Sequence, residues 1–188
     1  MSEYHIRYGG YGGIAYYHVS DKYIALFSRF IPCGVYEAVY ILDAMFENMS
    51  EIQPKTLHAD THGQSLTVFG LAFLLGIQLM PRISNWKSLK VFKADNTVQY
   101  THIDPVFTED KINWSLIEKH LADMFRIAIS IQKGRISASD ILRRLGSYNR
   151  KNKLYFAFHE LGKVVRSIFL LKYFRLPEMG GISITQRL

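Results

Sequence analysis

The sequence holds one cysteine, Cys33, among 188 residues. A lone thiol excludes a disulfide framework and any zinc site built on cysteines. It suits a reducing, cytoplasmic setting. With no base beside it in sequence, Cys33 reads as a buried, inert thiol. Proline is scarce, at 5, and the 13 glycines form no biased tract. Collagen-like, mucin-like and wholly disordered chains are thereby excluded. No Walker-type loop is present, and no Gly-x-Gly-x-x-Gly follows a strand. The glycine-rich run Gly9-Gly10-Tyr11-Gly12-Gly13 precedes a strand and lacks the Lys-Ser/Thr ending. Met1 to Arg7 has no apolar core of the signal-peptide kind. Nor does any apolar run reach membrane length. The 21 uncharged residues between Asp60 and Arg82 are interrupted by Thr67, Gly70, Gly76 and Gln78 and end at Pro81. A spanning helix needs about 20 apolar residues, so a buried helix followed by a buried strand is the better reading.

What is present is a chain that is 48% hydrophobic and 21% charged. That composition suits one ordinary domain, or two small ones, with a sizeable core. The net charge of +7 is uneven. Residues 1–80 carry 4 basic and 7 acidic side chains, and residues 81–188 carry 19 and 9. Within 126–175 the basic side chains outnumber the acidic ones 12 to 2. A local excess of this size favours polyanions. A solvated helix face is the plain alternative.

Met1 to Gly13 reads as a loop. Ile14 to Val19 and Tyr23 to Ile31 are rich in β-branched and aromatic residues, with Ser20-Asp21-Lys22 as turn material between them. This predicts a hairpin. Val35, Val39, Leu42, Met45 or Phe46, and Met49 recur at helical spacing and predict one amphipathic helix over 35–49. Thr56 to Asp60 reads as a short strand, and Gly63 allows a sharp turn after it. Leu66 to Leu75 is apolar all round, as in a buried helix, and Gly76 is suited to its C-terminal cap. Ile77 to Ile83 reads as another strand, with Pro81 marking an edge or an end. The first half is thus β-β-α-β-α-β, a mixed sheet with helices packed on it.

The second half is helical. Trp114, Ile117, Leu121, Met124, Phe125, Ala128 and Ile131 share one helix face, and Gly134 ends that helix. Ser137 and Asp140 resemble a capping box, opening a short helix with Ile141, Leu142 and Leu145. A third helix covers about 153–175 and stops before Pro177. The stretch 84–112 is a polar connector.

The segment that carries chemistry is His58-Ala59-Asp60-Thr61-His62-Gly63. A carboxylate at the C-terminal end of a strand can ligate Mg²⁺, a hard ion that takes one or two protein carboxylates. The same Asp can equally cap a turn. His58 and His62 flank Asp60, but the spacing matches no zinc motif. Lys133, Arg135, Arg143, Arg144, Arg150, Lys151 and Lys153 are candidate phosphate contacts, binding nucleic acid without reading its sequence. The interleaved Tyr148, Tyr155 and Phe156 are expected in the core more than as stacking platforms.

In their order these segments resemble the catalytic region of the replicative transposases of the Tn-three family, DDE enzymes that form cointegrates. The resemblance runs through Tyr16 to Tyr23, Glu37-Ala38, Leu42-Asp43, Asp60 to Gly63, Val68-Phe69, Leu74 to Gly76 and Pro81 to Ile83. It continues through Ser130, Lys133-Gly134, Leu142 to Leu145, Glu160 to Lys163 and Phe169 to Leu171. It implies an RNase H-like fold and a triad of two aspartates and a glutamate holding Mg²⁺. Asp60 stands where the family has its second aspartate. Arg82 and the basic cluster would contact transposon-end and target DNA. The family's first aspartate and its glutamate have no counterpart, and Glu160 and Asp104 are poor substitutes.

The resemblance divides the chain into a partial RNase H-like core (1–83), a connecting segment (84–112) and a helical insertion or connector (113–188). The expected fold is α/β, a partial RNase H-like mixed sheet followed by an all-helical C-terminal half. The expected function is that of a truncated DDE transposase, Mg²⁺-dependent in its parental DNA cleavage and strand transfer, and inactive alone. A non-catalytic basic DNA-binding or dimerisation module is the alternative. In RNase H-like sheets the first strand lies between the hairpin and the strand bearing the second aspartate. Unpaired backbone groups left there cost about 1–3 kcal/mol each when buried. Met1 to Tyr11 could supply a substitute strand, the gap could close, or the chain could self-associate through an open edge.

Overall fold

The computed structural model describes residues 3–5, 9–32, 37–47, 51, 54–85, 89–95, 97–146 and 152–175. Cys33, Val35, Met49, Tyr148, Arg150, Lys151, Pro177 and the side chain of His62 lie outside the described residues.

Three strands open the chain: β1 (Glu3–His5), β2 (Gly10–Val19) and β3 (Ala25–Pro32). They form one antiparallel sheet in the order β1-β2-β3. The predicted hairpin is there, closed by Tyr23 N–H donating to the Ser20 carbonyl at 2.9 Å. A register shift at His18/Val19 makes it an irregular hairpin. The described residues of the expected N-terminal loop, by contrast, are strand at 3–5 and 10–13. Glycine weakens a strand because it has no side chain to pack. Here Phe30 supplies that packing, its ring covering Gly13 at the place where a Cβ would sit.

The helix expected over 35–49 is two shorter pieces, a 3₁₀ turn at Glu37–Tyr40 and α1 (Asp43–Glu47). Every residue from Ala38 to Ala44 is buried. The segment therefore runs through the interior and does not lay one face on it.

Strands β4 (Thr56–Ala59) and β5 (Gln78–Pro81) pair in parallel, with Leu57 opposite Leu79 and Ala59 opposite Pro81. A 3₁₀ turn (Thr61–Gln64) and α2 (Leu66–Leu74) make the crossover. Parallel strands require such a connection. The backbone turns out of α2 at Gly76, whose φ of 75° suits glycine. Thr67 to Ala72 are all buried, as the all-round apolarity predicts. The expected single mixed sheet is two: three antiparallel strands and two parallel ones, not hydrogen-bonded to each other. Residues 3–5 do not bridge them, because β1 pairs back on Gly10–Gly12 in a local hairpin.

The helical half follows the sequence closely: α3 (Trp114–Gln132), α4 (Ala138–Gly146) and α5 (Lys153–Arg175). Asn113 caps α3, its side chain accepting Leu116 N–H at 3.0 Å. Ser137 caps α4, accepting Asp140 N–H at 3.1 Å. The Asp140 carboxylate in turn faces the Ser137 hydroxyl and takes Arg143 at 2.7 Å, and both hold it below the ordinary carboxylate range. On α3, Ile117, Met124, Ala128 and Ile131 are buried, whereas Trp114, Leu121 and Phe125 are exposed. The apolar stripe is wider than the surface available to cover it.

One core cluster runs from Ile31 to Tyr173. Helix α5 lies directly on α2, with Phe69 and Phe169 ring centroids 5.7 Å apart. At two points the helices meet backbone to side-chain-less backbone. A Cβ on Gly70 would strike the Phe158 carbonyl, and one on Gly162 the Leu66 carbonyl. A second link is the buried carboxylate of Asp43 in α1. It takes Arg29 of β3 at 3.0 Å and the backbone N–H of Ser139 in α4 at 2.9 Å.

Two outcomes follow. Gly162→Ala should cost about 1–3 kcal/mol by overpacking, read as a lowered urea midpoint with unchanged slope. Asp43→Ala should cost about 2–4 kcal/mol, since it strands a half-buried guanidinium and a buried N–H. Asp43→Asn, which keeps one acceptor, should lose less in the same titration.

Candidate nucleic-acid and metal site

Asp60 follows the last residue of β4 and is exposed. Arg82 follows the last residue of β5, and its N–H donates to the Ala59 carbonyl at 2.7 Å. The parallel register that sets Ala59 against Pro81 therefore brings Asp60 and Arg82 to adjacent positions at the carboxyl ends of two strands. Ligands of open α/β sheets gather at strand ends of this kind. Arg82 is half-buried.

Gly63 serves this corner differently from the sequence expectation. It closes a 3₁₀ turn, donating its N–H to the Asp60 carbonyl at 3.1 Å, and its φ is not positive. What it permits is close approach: an added Cβ would lie 2.7 Å from Ala59 Cβ and 3.0 Å from Pro81 Cβ. A larger residue would push the turn away from both strand ends.

His58 is exposed, two residues before Asp60. Among the described residues no group of three or more His, Cys, Asp or Glu could hold a metal ion. The donor set therefore gives a zinc reading no support. It fits Mg²⁺ in part, as one carboxylate oxygen to be shared with ligands from elsewhere, phosphates included. Glu160 and Asp104 are engaged in the scaffold. Glu160 takes Asn113 N–H at 2.9 Å and Lys163 at 2.7 Å. Asp104 takes Lys93 at 2.6 Å and Tyr100 N–H at 3.0 Å, which holds its carboxyl below the ordinary range.

A groove of about 870 Å³ runs between β2 and β4, lined by residues 14–21 on one wall and 54–60 on the other. Asp60 stands at one end of that second wall. His18, on the first wall, is held below the ordinary histidine range by burial, and its Nε2 has no hydrogen-bond partner.

The basic candidates lie on the helical half. Lys133 and Arg135 flank Gly134 in the turn between α3 and α4, and both are exposed. Arg143 and Arg144 are exposed on α4, and Lys153 is exposed at the start of α5. Arg143 is held by Asp140 and lies over the Tyr40 ring at 5.7 Å. Phe156 is exposed beside them in sequence, against the core placement expected of it, while Tyr155 is half-buried. The sequence reading missed Arg29 as the partner of Asp43. A buried acidic residue at the start of a short helix was the available signal. Among the described residues no helix is long and apolar enough to cross a membrane.

Comparison with known proteins accords with this arrangement. Residues 1–180 match the family described as the Tn3 transposase DDE domain. The transposase of transposon Tn3926 from Escherichia coli is 33% identical over 174 residues, 92% of this chain and 18% of the relative. That of Tn1546 from Enterococcus faecium is 32% identical over 89% of this chain and 17% of its own length. That of Tn501 from Pseudomonas aeruginosa is 33% identical over 92% and 18%. The chain thus spans less than a fifth of these relatives. No solved structure matches it. A strand-end aspartate on a parallel pair, a following basic helical half and a match across almost the whole length place this chain in the Tn3 transposase family, within its DDE domain.

Proposed function

We propose that the chain serves DNA transposition as part of a DDE catalytic region, with DNA as its substrate. The observation that carries this reading is the placement of Asp60 and Arg82 next after the paired strand ends Ala59 and Pro81 of β4 and β5. In it, Asp60 is a metal ligand, and Mg²⁺ bound there would polarise a phosphodiester oxygen. The Arg82 backbone adjoins the end of β4, and its guanidinium would hold a backbone phosphate there, since guanidinium groups match phosphate oxygens in pairs. Lys133, Arg135, Arg144 and Lys153 project into solvent and would neutralise phosphates farther along the duplex. Arg143, already shared with Asp140, would contribute less. Arg150 and Lys151 extend the same run in sequence. Phosphate contacts bind and orient DNA but carry no sequence information, so end recognition would lie with other elements.

Mg²⁺-dependent chemistry on phosphodiesters commonly uses two ions held by several carboxylates. The described residues offer one at this corner. The 188-residue chain on its own should therefore give no strand transfer on a transposon-end duplex in Mg²⁺. Nicking that Asp60→Ala abolished would show instead that this chain carries a complete site. DNA binding should survive Asp60→Ala. It should also fall steeply with salt, each neutralised phosphate contributing about 0.9 to the log–log slope. Replacing Lys133 and Arg135 together by alanine should lower that slope by about 2 units. An unchanged slope would remove the α3–α4 turn from the DNA path.

A further inference from the structure

Arg29 and Arg166 share one kind of seat, a half-buried position against aromatic rings, and differ in what meets their charge. Arg29 lies over Phe27 and Tyr40 and is held by the carboxylates of Asp43 and Glu47. Arg166, on α5, lies over the Phe92 ring at 6.0 Å. Its Nη2 reaches the Lys90 carbonyl at a long 3.4 Å, and its Nε is buried with no hydrogen-bond partner. Among the described residues no carboxylate pairs with it. Burial holds this guanidinium below the ordinary arginine range. A charged donor withdrawn from water without a partner is costly, and the fold of the helical half carries that cost at a single side chain.

The neighbouring carboxylates are already engaged. Asp110 takes Lys90 at 2.8 Å. Glu160 takes Lys163 at 2.7 Å and Asn113 N–H at 2.9 Å. Lys163 lies against the same ring as Arg166, 5.2 Å from the Phe92 centroid. Lys90, Lys163 and Arg166 thus meet two carboxylates, and the charge left over is that of Arg166. Its seat is also rigid. Phe92 N–H donates to the buried Ser167 hydroxyl at 2.9 Å, and Val91 bridges to Phe107. The connector is therefore pinned to α5 one residue from Arg166. A cation fixed in place before any ligand arrives loses little side-chain freedom on binding one.

A planar guanidinium offers its N–H groups in a fork that matches two oxygens of one anion. Carboxylate and phosphate both fit that fork, but a phosphate has further oxygens that a lysine beside it can share. Lys163, against the same ring, is such a lysine. We propose that Arg166, with Lys163 and Lys90 beside it, is a phosphate-binding site, and that it takes a backbone phosphate of DNA. The choice of DNA rests on the function proposed above; the phosphate site does not. Arg166 lies 13 positions after Lys153 on α5, about 20 Å along the helix and about 140° around it. The contact is therefore separate from that of Lys153.

The test reads the Arg166 side chain in the whole chain, through its Nε–H signal in nitrogen-correlated proton NMR, assigned by its loss in Arg166→Met. Inorganic phosphate should move that signal, and sodium chloride at equal ionic strength should not. Arg166→Met should also lower the log–log salt slope of DNA binding by about 0.9. The urea midpoint should not fall, since methionine keeps an unbranched stem on Phe92 and removes an unmet charge. A signal that phosphate leaves in place would overturn the site, as would one moved by a hexaglutamate peptide and not by phosphate. A midpoint that falls while the slope stays would make Arg166 a structural cation and overturn it equally. An unchanged slope with the signal still moved by phosphate would overturn the choice of DNA and leave a site for a free phosphate. If the unaltered chain bound no DNA, the proposed function would fall, and the phosphate titration would still decide on Arg166.

Discussion

Helices α2 and α5 meet where neither has a side chain to interpose. Gly70 faces the Phe158 carbonyl, and Gly162 faces the Leu66 carbonyl. Backbone approach this close leaves no room for adjustment by rotamer changes, so it fixes the separation of the helices. The consequence passes along α2. That helix is buried from Thr67 to Ala72 and makes the crossover from β4 to β5. The corner that bears Asp60 is therefore held by a helix whose contact residues lie about a hundred positions later in the chain. The acidic, strand-bearing half and the basic, helical half share one core.

Asp43 makes the second tie. Burying a carboxylate is costly unless its charge and lone pairs are met. Here a guanidinium and a helix N-terminal N–H meet them together. Arg29 is also held by Glu47 at 2.7 Å and lies over the rings of Phe27 and Tyr40 at 5.7 and 5.6 Å. Tyr40 carries Arg143 against its ring as well. The basic helix α4 is thus anchored to the β3–α1 region through one carboxylate and one aromatic ring.

What the sequence revealed and what it concealed follow from the range of the forces involved. Helices α3 and α5 were legible because their periodicity runs over five or more turns. The Ser137 cap and the glycine stops at Gly76 and Gly134 were legible because they act locally. The strand at Gly10–Gly13 was hidden because glycine signals a loop, and the packing of the Phe30 ring over Gly13 is a cross-strand contact with no local mark. The break between the two sheets is a tertiary fact with no local mark. Gly63 was noticed for the wrong property, turn freedom in place of close approach. The carboxylate at the end of β4 was found from strand reading alone, whereas its neighbour Arg82 became meaningful through the resemblance and then through the parallel register. The exposure of Trp114, Leu121 and Phe125 depends on which surfaces surround α3, and periodicity does not report that.

The hairpin sheet has one further property with consequences of its own. Between Arg7 and Asp21 the chain carries no formally charged side chain, and Tyr11, Tyr17 and Phe30 are 80%, 62% and 60% exposed. Along β2 no charged residue deters pairing with another sheet. Colloidal stability then falls to the long-range repulsion of a net charge of +7, most of it on distant helices. Dissolved ions screen repulsion of that kind within about 10 Å at 0.1 M. Ionic strength therefore acts on the two halves in opposite senses: the salt that loosens the helices from a polyanion also lets the sheets of neighbouring molecules approach.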